Sequence, residues 1–439
     1  MNKKILFTIL VSSISHFSFA QNFDKNKLDA YFTTLEQNNK FIGSVAVSEN
    51  GKIIYTKSVG FSDVENKIKA SNETKYRIGS ITKTFTAVLV FKAVEEGKLK
   101  LDQSIDKWFP DIKNSERITI AHLLNHRSGI HSFTSNEDYL DWHTQPKTEK
   151  DLLELIKKGG SDFNPNEKAE YSNSNYVLLT FILEKTYKKS YSELIEYYIT
   201  KPLNLMHTRL AETINSKNNE AKSYQFIGEW NLEKETHPSI PLGAGAIMST
   251  PIDIVKFSDA LFNEKIINKN SLNQMKEVTD GYAYGLFKIP FYDKVGFGHT
   301  GGIDGFSSVF YHFQDGNISY ALTSNGTNYN NNTISLAVLS AIYNKTYEIP
   351  TFSHYEHSEA ELNDFLGTYS SSGIPLKITI TKNQKTLIAQ ATGQPTFPLD
   401  STDKNKFKFD QANLKIEFNS TDKTFILYQG NGKYLFVKE

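Results

Sequence analysis

Apolar positions recur along this chain with two periods, and the changes of period mark its elements. From Asp24 to about Asn39 the spacing is helical, and GSVAVSENGKIIYTKSVGFSD then forms two strand-like runs around a Glu-Asn-Gly turn. A helix and a β-hairpin are therefore predicted first. KYRIGS reads as a short strand, and ITKTFTAVLVFKAV, Ile81 to Val94, is apolar on nearly every face before Glu95, Glu96 and Gly97 end it. Such a helix belongs inside a domain. The middle of the chain mixes helical segments, DLLELIKKG, YVLLTFILEKTY and SYSELIEYYI, with loops rich in Gly, Pro, Asn and Ser, and reads as a helical subdomain. Strand-like runs return at Gly281 to Pro290, Val295 to Gly298, Phe306 to His312 and Ile318 to Thr323, and ISLAVLSAIYN from Ile334 reads as a closing helix. Pairing the late strands with the early hairpin predicts an antiparallel sheet flanked by helices, an α+β domain.

Beyond about Tyr347 the texture changes. EIPTFSHYEHSEAE is polar and irregular, and the runs LKITI, TLIAQA, KFKFD, LKIEF, FILYQ and YLFVK follow at short intervals broken by Asn, Gly and Asp. They predict a small all-β domain. The expected organisation is a leader over residues 1–20, a main domain over 21–347, a linker over 348–358 and a β domain over 359–439. The asparagine-rich NGTNYNNNT, Asn325 to Thr333, reads as a solvated loop.

Charge and composition remove several function classes. Lys+Arg and Asp+Glu number 49 each in the 439 residues, so no global field favours nucleic acid, and recognition must be local. The opening MNKKILFTILVSSISHFSFA has two lysines, an apolar run and small residues at Ser18 and Ala20, the pattern of a secretory signal cleaved after Ala20. Ser12, Ser13, Ser15 and His16 interrupt that run, and no other segment is long and apolar enough to span a bilayer. A periplasmic or secreted protein without an integral membrane segment after cleavage is expected. With no cysteine, thiolate catalysis, disulfides and Cys-ligated zinc are excluded. His122, His126 and His131 lie close together without a carboxylate at metal-binding helical spacing, so structural roles are expected of them and no metal or cofactor is.

Ser-x-x-Lys occurs four times, at Ser80, Ser104, Ser401 and Ser420. Ser104 sits in DQSIDKWFP, and Ser401 and Ser420 in polar turns, all three reading as surface. Only Ser80 follows a strand and opens a buried helix, where Lys83 shares its face and the helix N-terminus favours developing negative charge. A serine hydroxyl needs a neighbour to take its proton, and a lysine does so only when neutral. Tyr171-Ser-Asn173, just ahead of an apolar helix, offers a phenol to share that proton and an amide to hold Lys83 or the substrate. The second Tyr-x-Asn triplet, Tyr329 to Asn331, lies in the asparagine-rich stretch. FGHTGGIDGFSS supplies His299, Thr300, Gly301 and Gly302 on a strand whose glycines allow close backbone approach. The amides of Ser80 and Gly302 would make a two-donor oxyanion hole.

These motifs, in this order, resemble the penicillin-recognising serine hydrolases, whose set is Ser-x-x-Lys, then Tyr-x-Asn or Ser-x-Asn, then Lys- or His-Thr-Gly. The Tyr-x-Asn and His-Thr-Gly forms look most like the branch of D-alanyl-D-alanine carboxypeptidases, D-aminopeptidases, class C β-lactamases and related esterases. LLNHRSGI (Leu123 to Ile130), KPLNLMHT (Lys201 to Thr208) and GAGAIMSTPIDIVKF (Gly243 to Phe257) agree, and the resemblance covers about residues 25–345. It implies a β-lactamase/transpeptidase-like domain with the site between an α/β and a helical part, Ser80 as the acylated serine, and His299, Thr300 and Gly301 as substrate-binding. The tail from about Glu359 resembles, more loosely, the lipocalin-like β-barrel of some members. Two departures stand out: FNPNEKAEYSN replaces the usual Pro-Gly-Glu before the tyrosine, and His299 stands where class C β-lactamases usually carry lysine. The expected partner is a small peptide, amide or ester, peptidoglycan among them. A D-amino-acid peptide or peptidoglycan-type amide comes first, a lactam or simple ester second, and a binder that acylates without turnover third.

Overall fold

A computed structural model of the protein describes residues 23–394 and 396–439. The expected leader and its cleavage after Ala20 lie outside them. Six antiparallel strands form the main sheet, in the order Phe287–Phe291, Lys294–Ile303, Phe306–Phe313, Ile318–Thr327, Phe41–Glu49, Lys52–Val59. The late strands join the early hairpin as the patterning predicts, Ala46 opposite Ala321. Alternation then assigns each side chain a face. Val45 and Val47 meet the helices Lys25–Gln37 and Asn331–Ile342 through Leu28, Phe32 and Val338, while Ala46, Phe310 and Ala321 join the larger core on the other side.

That larger core is built around the helix Thr82–Glu95, buried at every position from Thr82 to Phe91. Its Phe85 stacks on Phe257 of the helix Pro251–Phe262, with ring centres 3.8 Å apart, and that helix lies against the sheet. Asn173–Tyr187 packs beside it with the rest of the helical part. A helix apolar all round is stable here because it has protein on every side.

The tail is a closed barrel of eight strands, neighbours in sequence, sealed where Tyr369 pairs with Lys438. Its axis is filled by Phe365, Tyr369, Phe407, Phe418, Phe425 and Phe436. The barrel is thus a packed core, as eight strands permit. Residues 345–358 lead into it without regular structure, Tyr355 donating its N–H to the carbonyl of Ser401.

Some expectations need correcting. The run from Gly281 is a strand only over Phe287–Phe291, because Gly281 and Gly285 turn the chain with positive φ. The asparagine-rich stretch is no solvated loop. Asn325 is fully buried and donates to the carbonyls of Phe61 and Lys222, and Asn330 caps the following helix. Asn328 and Asn330 also bond the barrel at Asp400 and the carbonyl of Gln411. Ser401 is buried in a barrel strand, not at a surface turn. Within the stretch read as helical, Tyr224–Ile227 and Glu229–Leu232 form a hairpin.

Candidate active site

Tyr76–Arg77 delivers the chain into a single 3₁₀ turn, Gly79–Ile81, which runs into the buried helix and places Ser80 at its mouth. Gly79 adopts φ +49°, and a Cβ there would lie 2.8 Å from the amide nitrogen of Gly302. The glycine strand therefore backs directly onto the serine turn. A Cβ on Gly301 would come 2.1 Å from the Ile78 carbonyl, so both glycines are needed for the approach.

Lys83 lies one turn into the helix with no exposed surface, and its Nζ is 3.0 Å from Ser80 Oγ. Two carbonyl oxygens complete its surroundings, Asn173 Oδ1 and the Ala244 main chain, each at 2.7 Å. Burial lowers the lysine pKa well below its ordinary value. A neutral amine fits this cage: two N–H groups donate to the carbonyls, which can only accept, and the lone pair is left for the Ser80 hydroxyl.

Asn173 starts the helix Asn173–Tyr187 and is fixed from behind. Its Nδ2 donates to Thr134 Oγ1 at 2.9 Å and its main-chain N–H to Ser132 Oγ at 3.1 Å, so Oδ1 faces Lys83. Tyr171 sets its ring 4.8 Å from Lys83 Nζ. Burial pushes its phenol pKa up, opposed by the nearby Ser80 hydroxyl, so the phenol keeps its proton at neutral pH. His126 holds this tyrosine in place: the rings lie 4.4 Å apart and Nδ1 accepts the Ser172 N–H. Burial, and repulsion from Lys83 whenever that amine is protonated, hold His126 well below the usual histidine pKa, and a neutral ring adds no charge beside Lys83.

The structure thus brings Ser80, Lys83, Tyr171 and Asn173 together and lays Gly302 beside Ser80. His299 is different. It is 2 % exposed, its Nδ1 is 2.6 Å from the Thr300 carbonyl, and it packs against Phe287. Burial and then the Lys83 charge lower its pKa to about 3, so the ring is neutral across the physiological range. It does not line the cavity at Ser80, whereas Thr300 is exposed on the same strand. Of the other histidines, His122 closes a capping box and His131 pairs with Asp162.

The cavity at Ser80 holds about 450 Å³, with Asn173, Gly302 and Ala244 on one side and Phe133, Tyr139, His143, Glu233, Lys234, Thr236 and Asp304 around it. Asp304 is already engaged, accepting from the Thr236 amide at 3.0 Å and facing Arg77 at 3.4 Å. Sequence reasoning missed Ser132, Thr134, the Ala244 carbonyl and the 233–236 wall. The phrase GAGAIMST contained Ala244, but no side-chain chemistry announces a main-chain acceptor.

The beta-lactamase family model matches residues 28–344, which contain every one of these groups. The chain belongs to the beta-lactamase family. It is a serine hydrolase, α+β with a C-terminal eight-stranded barrel. Among relatives of this beta-lactamase-family chain, penicillin-binding protein 4* of Bacillus subtilis is 25% identical over 92% of this chain and 96% of its own length. The teichoic acid D-alanine hydrolase of Staphylococcus aureus is 29% identical over 69% of this chain and 74% of its own. A solved D-amino acid amidase from Ochrobactrum anthropi superposes with a TM-score of 0.64 at 26% identity, covering 73% of this chain and 99% of the amidase. No helix among the described residues is long and apolar enough to cross a membrane.

Proposed function

We propose that this enzyme hydrolyses amides or esters of small D-amino acids through an acyl-enzyme on Ser80, and that it does so outside the cytoplasm, where the N-terminal leader directs it. The observation that carries the chemistry is the Lys83 cage. Neutral Lys83 takes the proton of Ser80 Oγ as that oxygen attacks the substrate carbonyl, and the N–H groups of Ser80 and Gly302 receive the tetrahedral oxyanion. The proton passes from Lys83, with the Tyr171 phenol as relay, to the leaving nitrogen or oxygen, and the C–N or C–O bond breaks. Water then attacks the acyl carbonyl, giving its proton back to the same pair, and Ser80 leaves with a proton.

The substrate class rests on charge. His299, buried, neutral and off the cavity, offers no cation to a carboxylate beside the scissile bond, and the lining carries one charge of each sign, Glu233 and Lys234. That favours acyl groups bearing an amine, or neutral leaving groups, over carboxylate-terminated D-Ala-D-Ala and β-lactams. The chain's resemblance to a teichoic acid D-alanine hydrolase and a D-amino acid amidase points the same way. A turnover panel tests this: a D-alanyl ester, a D-amino-acid amide, a D-Ala-D-Ala peptide and a chromogenic cephalosporin, each against Ser80→Ala. The first two should turn over fastest and Ser80→Ala should lose all activity. Preference for the D-Ala-D-Ala peptide refutes the substrate reading, and an active Ser80→Ala refutes the nucleophile.

A further inference from the structure

The hairpin Tyr224–Leu232 joins two places that its sequence keeps apart. At its root, Tyr224 is buried and donates to Glu65, and the N–H of Glu233 returns to the Ser223 carbonyl. The chain then forms the 233–236 wall of the catalytic cavity, where Thr236 is held by Asp304, two residues beyond Gly302. At its tip, Gly228 turns with φ +74° against the barrel: a Cβ there would lie 2.8 Å from Thr386 Oγ1 and 3.9 Å from Thr386 Cβ. The strand Tyr224–Ile227 also runs beside the barrel strand Phe397–Asp403. A space of about 570 Å³ opens beside it between Phe226–Glu229, the 352–357 segment and the barrel, and another of about 300 Å³ lies under Gln225 and Phe226. His357, which borders the larger space, is 5 % exposed and has neither ring nitrogen hydrogen-bonded, so this side is not sealed by polar contacts.

A hydrogen-bonded strand pair is stiff along its length, and this one has room to move on the side that faces the barrel. We propose that the barrel selects substrates: through the Gly228–Thr386 contact it sets the position of the hairpin and thereby of the 233–236 wall. Small acyl and leaving groups fit the cavity as it stands. Larger ones require the wall to yield, and hence the tip to shift on the barrel. Gly228 and Thr386 are positioning residues, acting through Glu233 to Thr236. The proposal rests on the cavity at Ser80 being the substrate site.

The chain contains no cysteine, so a double variant, Gly228→Cys with Thr386→Cys, carries the only two thiols. The 3.9 Å separation falls within the Cβ to Cβ distance of a disulfide, about 3.5–4.5 Å. Steady-state kinetics of the full chain, oxidised and reduced, would be measured with a small D-alanyl ester and with a D-alanyl ester of a bulky alcohol, alongside Ser80 labelling by a small fluorophosphonate. The bond should form. Oxidation should lower kcat/KM for the bulky ester, through KM, by about 5-fold or more, the low end of coupling between distinct sites, with reduction restoring it. The small ester and the labelling rate should not change. Thr386→Arg, which leaves Gly228 unstrained and displaces the tip, should alter KM for the bulky ester alone. Failure of the disulfide to form, equal kinetics in both redox states, or equal loss for both esters would overturn the proposal. If the unmodified enzyme were not labelled at Ser80, the catalytic reading itself would fail, a result distinct from these.

Discussion

Asn173→Asp changes one NH₂ to an oxygen and tests the neutral-lysine mechanism directly. The Asn173 oxygen sits 2.7 Å from Lys83 Nζ, so the substitution sets a carboxylate against the amine with almost no change in shape. At an effective dielectric of about 20, opposite unit charges at that distance attract by about 6 kcal/mol. Desolvating the new carboxylate removes several kcal/mol of this, leaving about 2–4 kcal/mol in favour of the ammonium form. At about 1.4 kcal/mol per tenfold, the proton affinity of Lys83 rises roughly 30- to 1,000-fold, and its neutral fraction at neutral pH falls by at most that factor. Pre-steady-state acylation with an ester that reports its leaving group, run from pH 6 to 10, measures this. The wild-type rate should rise with pH as Lys83 loses its proton. The variant should be slower near pH 7.5, by up to that factor, and its rise should be displaced toward alkaline pH, recovering rate there. An acid–base profile unmoved by Asn173→Asp, with only a uniform loss, would mean that Lys83 is not the group whose proton governs acylation.

Gly301→Ala places a Cβ 2.1 Å from the Ile78 carbonyl, which forces the strand away by about 1 Å and spoils the Gly302 donor; acylation should fall about 10²–10³-fold while circular dichroism stays native. Lys83→Ala and Tyr171→Phe should each remove most of the acylation rate and the double variant little more, since coupled residues do not lose additively; clean multiplication in single-turnover assays would refute the shared relay. Stability should fall in mild acid. His299 and His312 resist protonation in the folded protein until about pH 3 and about 4, whereas the unfolded chain protonates them near about pH 6.5. The unfolded state thus binds more protons between those limits, and urea denaturation should show unfolding free energy dropping by about 3 kcal/mol per pH unit around pH 5; a flat curve from pH 6.5 to 4.5 would contradict the burial of both rings. A matched acid and ester substrate pair should share one pH profile between pH 6 and 8, because His299 does not titrate there; strengthening of the acid alone would return His299 to substrate recognition.

The parts that sequence made legible were those set by local geometry. Ser80 and Lys83 are three residues apart at a helix start, and any such pair meets. The buried helix, the pairing of late strands with the early hairpin, and the all-β tail followed from periodicity alone. The burial of His299 was not legible because a strand residue's surroundings depend on register: its neighbour Thr300 faces outward, while the ring of Phe287, from the adjacent strand, helps bury His299. Asparagines 325 to 332 were read as a solvated loop because an amide suits water, a helix cap or a buried carbonyl equally well, and only the barrel and the Phe61 carbonyl decide between them. The hairpin around Gly228 left a weak trace, YQFI and EWNL on either side of a glycine, too short to outweigh the helical segments around it. Ser132 and Thr134, which orient Asn173, carry no signature, since hydroxyls are common in loops.

The register of the main sheet also dictates an order of events during synthesis. Phe41 pairs with Thr327, so the first long strand has no permanent neighbour on that side until nearly the whole hydrolase part has been made. Its apolar residues Phe41, Val45 and Val47 must wait through hundreds of residues of helical chain, and long-range antiparallel pairing of this kind is slow and exposes surface that aggregates. The barrel has mostly the opposite character: each strand pairs with the one just made, and only the seam from Tyr369 to Lys438 is distant. A nascent chain arrested before Ile318 should therefore be protease-sensitive throughout its first strand and prone to capture by chaperones. One released only a few dozen residues later should already hold a complete catalytic sheet, with the barrel still to come.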